Sequence, residues 1–172
     1  AGNAEANSIV FINDGATLLG STTADGSGVW NFTTGTLSQG THSFAAVAED
    51  AAGNFSAASA ELAVTIDTAI ATPVISGITT DTGASGTDEV TSDTSLTING
   101  TAEAGASVQV FRDGNPIGTT TVDGSGNWSL ADATTLAEGP YNYTAVATDV
   151  AGNVSATSNS LVVTVDTTNP ST

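Results

Sequence analysis

Apolar residues alternate with polar ones along most of this chain, in short runs bounded by Gly, Asp, Asn and Ser. Tyr141, Tyr143, Ala145 and Ala147 fall on one face of such a run, with Thr144 and Val146 on the other. Leu161, Val163 and Val165 alternate in the same way. A period of two is the pattern of a half-buried strand, and no stretch sustains the helical period. Between about residue 67 and residue 165 the pattern predicts strands near 73–78, 94–99, 106–112, 116–122, 127–130, 141–148 and 157–165. Asp113-Gly114 and Asp123-Gly124-Ser125-Gly126 separate neighbours at hairpin spacing. The expected fold is therefore all-β. Seven short strands in a segment of this length point to an immunoglobulin-like sandwich of Greek-key type, with a seven-strand barrel as the alternative.

The pattern repeats. Ala48–Asn54 returns as Ala147–Asn153 and Val64–Thr68 as Val163–Thr167, both 99 positions on. Asp25–Trp30 returns as Asp123–Trp128, and Gly2–Ala6 as Gly100–Ala104, both 98 positions on. Four blocks in one order at nearly one spacing mark a tandem duplication. Residues 67–165 read as a complete repeat. Residues 1–66 read as a repeat without its first two strands, and 166–172 as the start of a further linker. Trp30 and Trp128, at matched positions after a Gly-Ser-Gly turn, are expected to anchor the two cores. Ile9 and Phe11, placed opposite Val108 and Val110, are expected in the core of the first repeat. His42, without a counterpart, is expected at the surface.

Composition narrows the function. Asp and Glu number 18 against one basic residue, Arg112, and the formal net charge is −17. Such a surface cannot neutralise phosphates or anionic lipid, which excludes nucleic acid and direct membrane association. No apolar run is long enough to span a bilayer. With no initiating Met and no signal-peptide pattern, the segment reads as an excerpt of a longer protein. Cysteine and lysine are both absent, so neither a disulfide nor a Lys–Asn isopeptide can staple the fold. One unrepeated His and no Cys or Lys leave no means of activating a nucleophile, and no enzymatic role is expected.

The acids cluster, and they make sense as oxygen ligands for Ca2+, which takes six to eight oxygens from carboxylates, amide side chains and carbonyls. In the expected topology Glu103 lies in the loop between the second and third strands, and Asp149 with Asn153 in the loop between the sixth and seventh. Asp67, ending the preceding repeat, arrives at the same pole. The Asp149–Asn153 stretch also reads as a simple turn, Asp capping it and Gly taking positive φ, but that leaves Glu103 and Asp67 unexplained. In the first repeat the matching ligands are Glu5, Asp50 and Asn54, and Asp166 repeats Asp67. A second acidic loop, 81–93, holds Asp81, Asp88 and Asp93, and is expected at the opposite pole.

Asp67-Thr68, Asp81-Thr82-Gly83, Gly100–Ala106 and Asp149–Asn153 together resemble the bacterial immunoglobulin-like repeats of giant RTX-type and biofilm-associated adhesins. The resemblance covers the whole chain. It implies an extracellular, cell-surface protein exported by type I secretion, whose calcium-bound repeats form a rigid extender and whose partners are the neighbouring repeats. The first repeat departs from it at Asn7, which stands where the second has Gly105. Its missing strands also raise the alternative of a surface fibre in which copies of the chain complete one another. A sandwich face that binds sugar or protein is the third reading.

Overall fold

The structure is a computed structural model that describes residues 1–169. Residues 170–172, at the end of the expected further linker, lie outside it. The chain divides into two compact units, Ala1–Asp67 and the part from Thr68 onward. Both are built of strands, and no helix occurs among the described residues.

The second unit contains β7 (Val74–Ile78), β8 (Val90–Thr91), β9 (Thr97–Thr101), β10 (Ser107–Arg112), β11 (Asn115–Thr121), β12 (Asn127–Ala131), β13 (Gly139–Thr148) and β14 (Leu161–Val165). One sheet has the order β12-β9-β7, the other β11-β10-β13-β14-β8. Each sheet ends in free edges, so the unit is a sandwich and not a closed barrel. Eight strands replace the expected seven. The extra one, β8, is two residues long and pairs in parallel with β14, Val165 opposite Thr91. It lies inside the acidic loop, too short to show alternation. The predicted strand 94–99 begins at Thr97 instead, and Leu96 enters the core from the preceding loop.

Alternation decides which face is buried. Val108 and Val110 on β10, Tyr143, Ala145 and Ala147 on β13, and Val163 and Val165 on β14 are wholly inaccessible and meet Ile75, Leu96, Ile98 and Trp128 in one cluster. Trp128 lies over Gly100, where a Cβ would stand 2.4 Å from the indole Cζ2 and 2.1 Å from the Val74 carbonyl oxygen. Only glycine permits that approach of strand and ring. Between β10 and β11, Asp113 and Gly114 both take positive φ, as a two-residue hairpin turn requires.

The lone arginine closes one polar network in this core. Arg112 donates to Asp132, whose side chain is 1% exposed, and Tyr143 donates its phenol to the same oxygen at 3.0 Å. The Arg112 guanidinium also lies 5.7 Å from the Tyr141 ring centre. Burial works against ionisation of Asp132, but the Thr134 N–H, Arg112 and Tyr143 together hold its pKa below the ordinary 3.8. A carboxylate with a depressed folded pKa contributes stability in full above its unfolded value, and loses it as pH falls through the lower folded one. The second unit should therefore lose stability on acidification below about pH 4. Asp132→Asn should cost about 2 kcal/mol at neutral pH and flatten that acid limb in urea unfolding; an unchanged limb would place the acid sensitivity elsewhere.

The first unit contains β1 (Gly2–Asn3), β2 (Ile9–Asp14), β3 (Thr17–Thr23), β4 (Val29–Trp30), β5 (Gly40–Glu49) and β6 (Leu62–Ile66), in sheets β3-β2-β5-β6 and β1-β4. Their registers match β9 to β14 of the second unit. Among the described residues it has no counterpart of β7 or β8. Its core is small: Val10, Ile12 and Ala24 are buried, with Trp30, Phe32, Ala46 and Ala48 half-covered. Two expectations are corrected here. Ile9 is 44% exposed and Phe11 only half-buried, because Val10 and Ile12 face inward. The offset at this strand is 98, and in a strand a slip of one residue exchanges the faces. His42 is no mere surface residue either: its side chain is 11% exposed. Its Nδ1 pairs with Asp14 at 2.5 Å and its Nε2 lies 2.9 Å from the Ser38 carbonyl oxygen. Asp14 and His42 occupy the places that Arg112 and Tyr141 hold in the second unit.

Candidate metal centre

Two loops of the second unit bring acids together. The β9–β10 loop carries Glu103, exposed, and turns through Gly105 at φ +82°. The β13–β14 loop carries Asp149, 7% exposed, and Asn153. Glu103 and Asp149 each present a carboxylate oxygen within 4.8 Å of the other.

Local bonds fix Asp149. Its Oδ1 accepts the Asn153 N–H at 2.8 Å, its Oδ2 accepts the Asn153 side-chain amide at 2.8 Å, and Gly152 takes φ +93° to close the turn. The turn reading of Asp149–Asn153 is thus correct as far as it goes. It also holds a carboxylate still and points one side of it toward Glu103. Burial opposes the charge on Asp149, but the bonds from Asn153, Ala151 and Gly152 lower its pKa below 3.8, so it is anionic at neutral pH. Two carboxylates brought this close repel one another, and a cation between them removes the repulsion. The donors are all hard oxygens, with no His or Cys nearby, which fits Ca2+ and does not fit zinc.

Asp67 follows β6 directly and is the last residue of the first unit. In that unit Asp50 Oδ1 accepts the Ala52 and Asn54 N–H groups, and the Asn54 amide bonds Asp50 Oδ2, each at 2.8 Å. This is the Asp149 turn over again. Glu5, exposed, lies in the loop where Asn7 takes φ +65° in place of Gly105. Asn visits that region more readily than other side chains, so the substitution keeps the loop. Asp166 Oδ1 accepts the Thr168 N–H at 3.0 Å.

In the second acidic loop Asp81 Oδ2 accepts the N–H groups of Asp88 and Glu89, both at 3.1 Å. Asp88 caps Val90, and Asp93 caps Ser95. The other oxygen of Asp81, Oδ1, is buried without a hydrogen-bond partner, and among the described residues these acids form no acidic group of the kind that contains Glu103 and Asp149. The polar grouping that sequence reasoning overlooked is Arg112 with Asp132 and Tyr143. A single cation in so acidic a chain was the available signal.

A family model described as bacterial Ig-like domain matches residues 1–68 and again 69–167. No curated protein matches the chain. Among solved structures, the chain is similar to the fibronectin(III)-like modules of Clostridium thermocellum CbhA, at 18% identity over 96% of this chain and 81% of that one, TM-score 0.43. It is similar to a tetra-tandem repeat from the extending region of a large adhesion protein, at 22% identity over 96% and 43%, TM-score 0.45. It is also similar to part of a 1.5-MDa bacterial ice-binding adhesin, at 22% identity over 95% and 54%, TM-score 0.40. The chain spans less than two thirds of the length of those last two.

Proposed function

Because the chain belongs to the bacterial Ig-like domain family, matched once over each unit, we propose that it is a spacer segment of a bacterial cell-surface adhesin, stiffened by Ca2+. The observation that carries the reading is the approach of the Glu103 and Asp149 carboxylates. Asp149 is held by its turn and Glu103 is free to adjust. In this reading the Asn153 side-chain oxygen and the Asp67 carboxylate are the further donors. Asp67 is also the residue through which the first unit leads into the second. A cation that it shares with Glu103 and Asp149 ties the linker to the second unit, and linker freedom is what a spacer must lose to transmit length and force.

The remaining features agree with a structural part and not an enzyme. The candidate ligand acids lie mostly on loops, Cys and Lys are absent from the sequence, and its one His, His42, is already engaged by Asp14 and the Ser38 carbonyl oxygen. The strong negative charge keeps an extracellular chain soluble and lets it respond to millimolar divalent cation. An extracellular, cell-surface location with export by type I secretion completes the proposal.

NMR relaxation of the full chain tests the stiffening. Without calcium the two units should tumble with different apparent correlation times. With millimolar calcium the values should converge, and Asp67→Ala should undo the convergence while each unit stays folded. Independent tumbling at saturating calcium would refute the spacer mechanism.

A further inference from the structure

His42 stands between two oxygen acceptors. Its Nδ1 lies 2.5 Å from Asp14 Oδ2, and its Nε2 lies 2.9 Å from the Ser38 carbonyl oxygen. A carbonyl oxygen only accepts, and so does an ionised carboxylate. Asp14 is held in place by the Ser43 N–H, which donates to its other oxygen at 2.9 Å, and the bond to His42 keeps its pKa below 3.8. A neutral imidazole has one N–H and one lone pair. It can serve one of these partners and must turn its lone pair toward the other. The imidazolium, with both nitrogens protonated, satisfies the two together.

The second unit shows what this position does when one proton is enough. Tyr141, 99 positions on from His42, donates its hydroxyl to the carbonyl of Ala137, four residues back, at 3.0 Å. Ser38 likewise stands four residues before His42. The two side chains make the same corner bond, tying the loop that enters the long strand, β5 or β13, back onto that strand. Tyrosines fasten corners of other sandwiches in this way. Tyr141 spends its one hydroxyl proton there, and the neighbouring Arg112 guanidinium, 5.7 Å from its ring centre, accepts none. In the first unit Asp14 takes the place of Arg112, and it requires a second proton from the ring.

We infer that His42 is a pH-operated fastener: as the imidazolium it ties the loop before β5 through Ser38 and the end of β2 through Asp14, and on losing a proton it releases the loop. The carboxylate is the stronger acceptor. The remaining N–H therefore stays with Asp14, and the Nε2 lone pair is left facing the Ser38 oxygen, which repels it. Around the ring, β2 presents Asp14, β5 presents Phe44, stacked at 6.0 Å, and β6 presents Val64 across the ladder. Glu61 is engaged by Ser43 Oγ at 2.8 Å, and Ser43 alternates with His42 on β5. Among the described residues Asp14 is the charge paired with the ring.

The bond to Asp14, and then that to Ser38, raise the His42 pKa above 6.5. A group whose folded pKa is raised contributes stability in full below its unfolded value, and loses it as pH rises through the folded one. The first unit should therefore weaken on the alkaline side of about pH 6.5, whereas the Asp132 network of the second fails on the acid side. The two repeats answer to pH from opposite directions. Neither His42 nor Asp14 belongs to the candidate metal centre, so a failure of the calcium reading leaves the corner untouched.

The test is an NMR titration of the full, untagged chain in calcium-free buffer between about pH 5 and pH 9. His42 is the one histidine in the sequence, so its ring Hε1 gives a single curve. The midpoint should lie above about 6.5, and the carbonyl carbon of Ser38 should follow the same curve as its donor is withdrawn. Asp14→Asn should move the midpoint down, because the charge that favours the second proton is gone. In urea the folding constant of the first unit should fall about fivefold across the titration, the effect of one hydrogen bond. His42→Tyr, which copies Tyr141, should remove that slope. A midpoint at or below 6.5 would overturn the inference, as would one that Asp14→Asn leaves in place, neither of which depends on the Tyr variant folding. So would an alkaline slope that His42→Tyr retains, or a Ser38 carbonyl that ignores the titration, since His42 would then ionise without releasing the loop.

Discussion

Raising free calcium to about 10 mM should lift the melting temperature of the second unit by roughly 10–20 °C. The size follows from mass action. Extracellular calcium modules bind near 10⁻⁴ M at their tighter end, and a ligand at about a hundred times its Kd stabilises the folded state by about 2.7 kcal/mol. In a domain of this size each kcal/mol moves the midpoint by roughly 4–8 °C. Glu103→Gln is the informative substitution, because it removes a charge without touching a turn and should remove most of the increment. Asp149→Ala should remove it too, but at the added cost of losing the cap on its own loop. Asp123→Ala is the control. Asp123 caps a hairpin turn through the N–H groups of Ser125 and Asn127, so its loss should lower the starting midpoint and leave the calcium increment intact. A wild-type midpoint that calcium does not move, or a full increment in Glu103→Gln, would sink the metal reading. Magnesium should do less, since it sheds water reluctantly and demands a tighter octahedron.

The sequence announced most of this fold because the physics that set it is local. Period-two alternation along β13 and β14 and turn residues between the strands are legible without a structure, and duplication let each repeat check the other. The approach of Glu103 to Asp149 was legible for the same reason: a sandwich topology brings the loops after its second and sixth strands to one end. The failures are equally physical. Ile9 and Phe11 were misplaced by one residue, because a single shift in spacing falls between two aligned blocks and a strand converts one residue into the opposite face. β8 has two residues, below the length at which alternation carries any signal. The pairings of His42 with Asp14 and of Arg112 with Asp132 join residues 28 and 20 positions apart. Only the packed sheets set those distances. In the 81–93 loop composition alone cannot tell a carboxylate that caps a turn, as Asp88 and Asp93 do, from one that faces a cation.

The two tryptophans should answer very differently to the same substitution. Trp128→Ala should cost the second unit about 3–5 kcal/mol, the usual penalty for emptying an aromatic site in a closed core, and lower its midpoint by ~15 °C or more. Trp128 is 4% exposed, and Gly100 beneath it has no side chain of its own to fill the space. Trp128→Phe should recover much of the loss, because the indole Nε1 is buried without a hydrogen-bond partner and its removal relieves an unsatisfied donor. Trp30 has the same local sequence and the same strand position, yet lines an open cleft and is only half-buried. Trp30→Ala should therefore cost well under half as much in a chemical unfolding experiment that resolves the two units. What separates the two sites is the strand pair lying over one of them, so the difference in cost measures what that cover contributes. Equal losses at the two positions would mean that the first unit's core is as closed in solution as the second's.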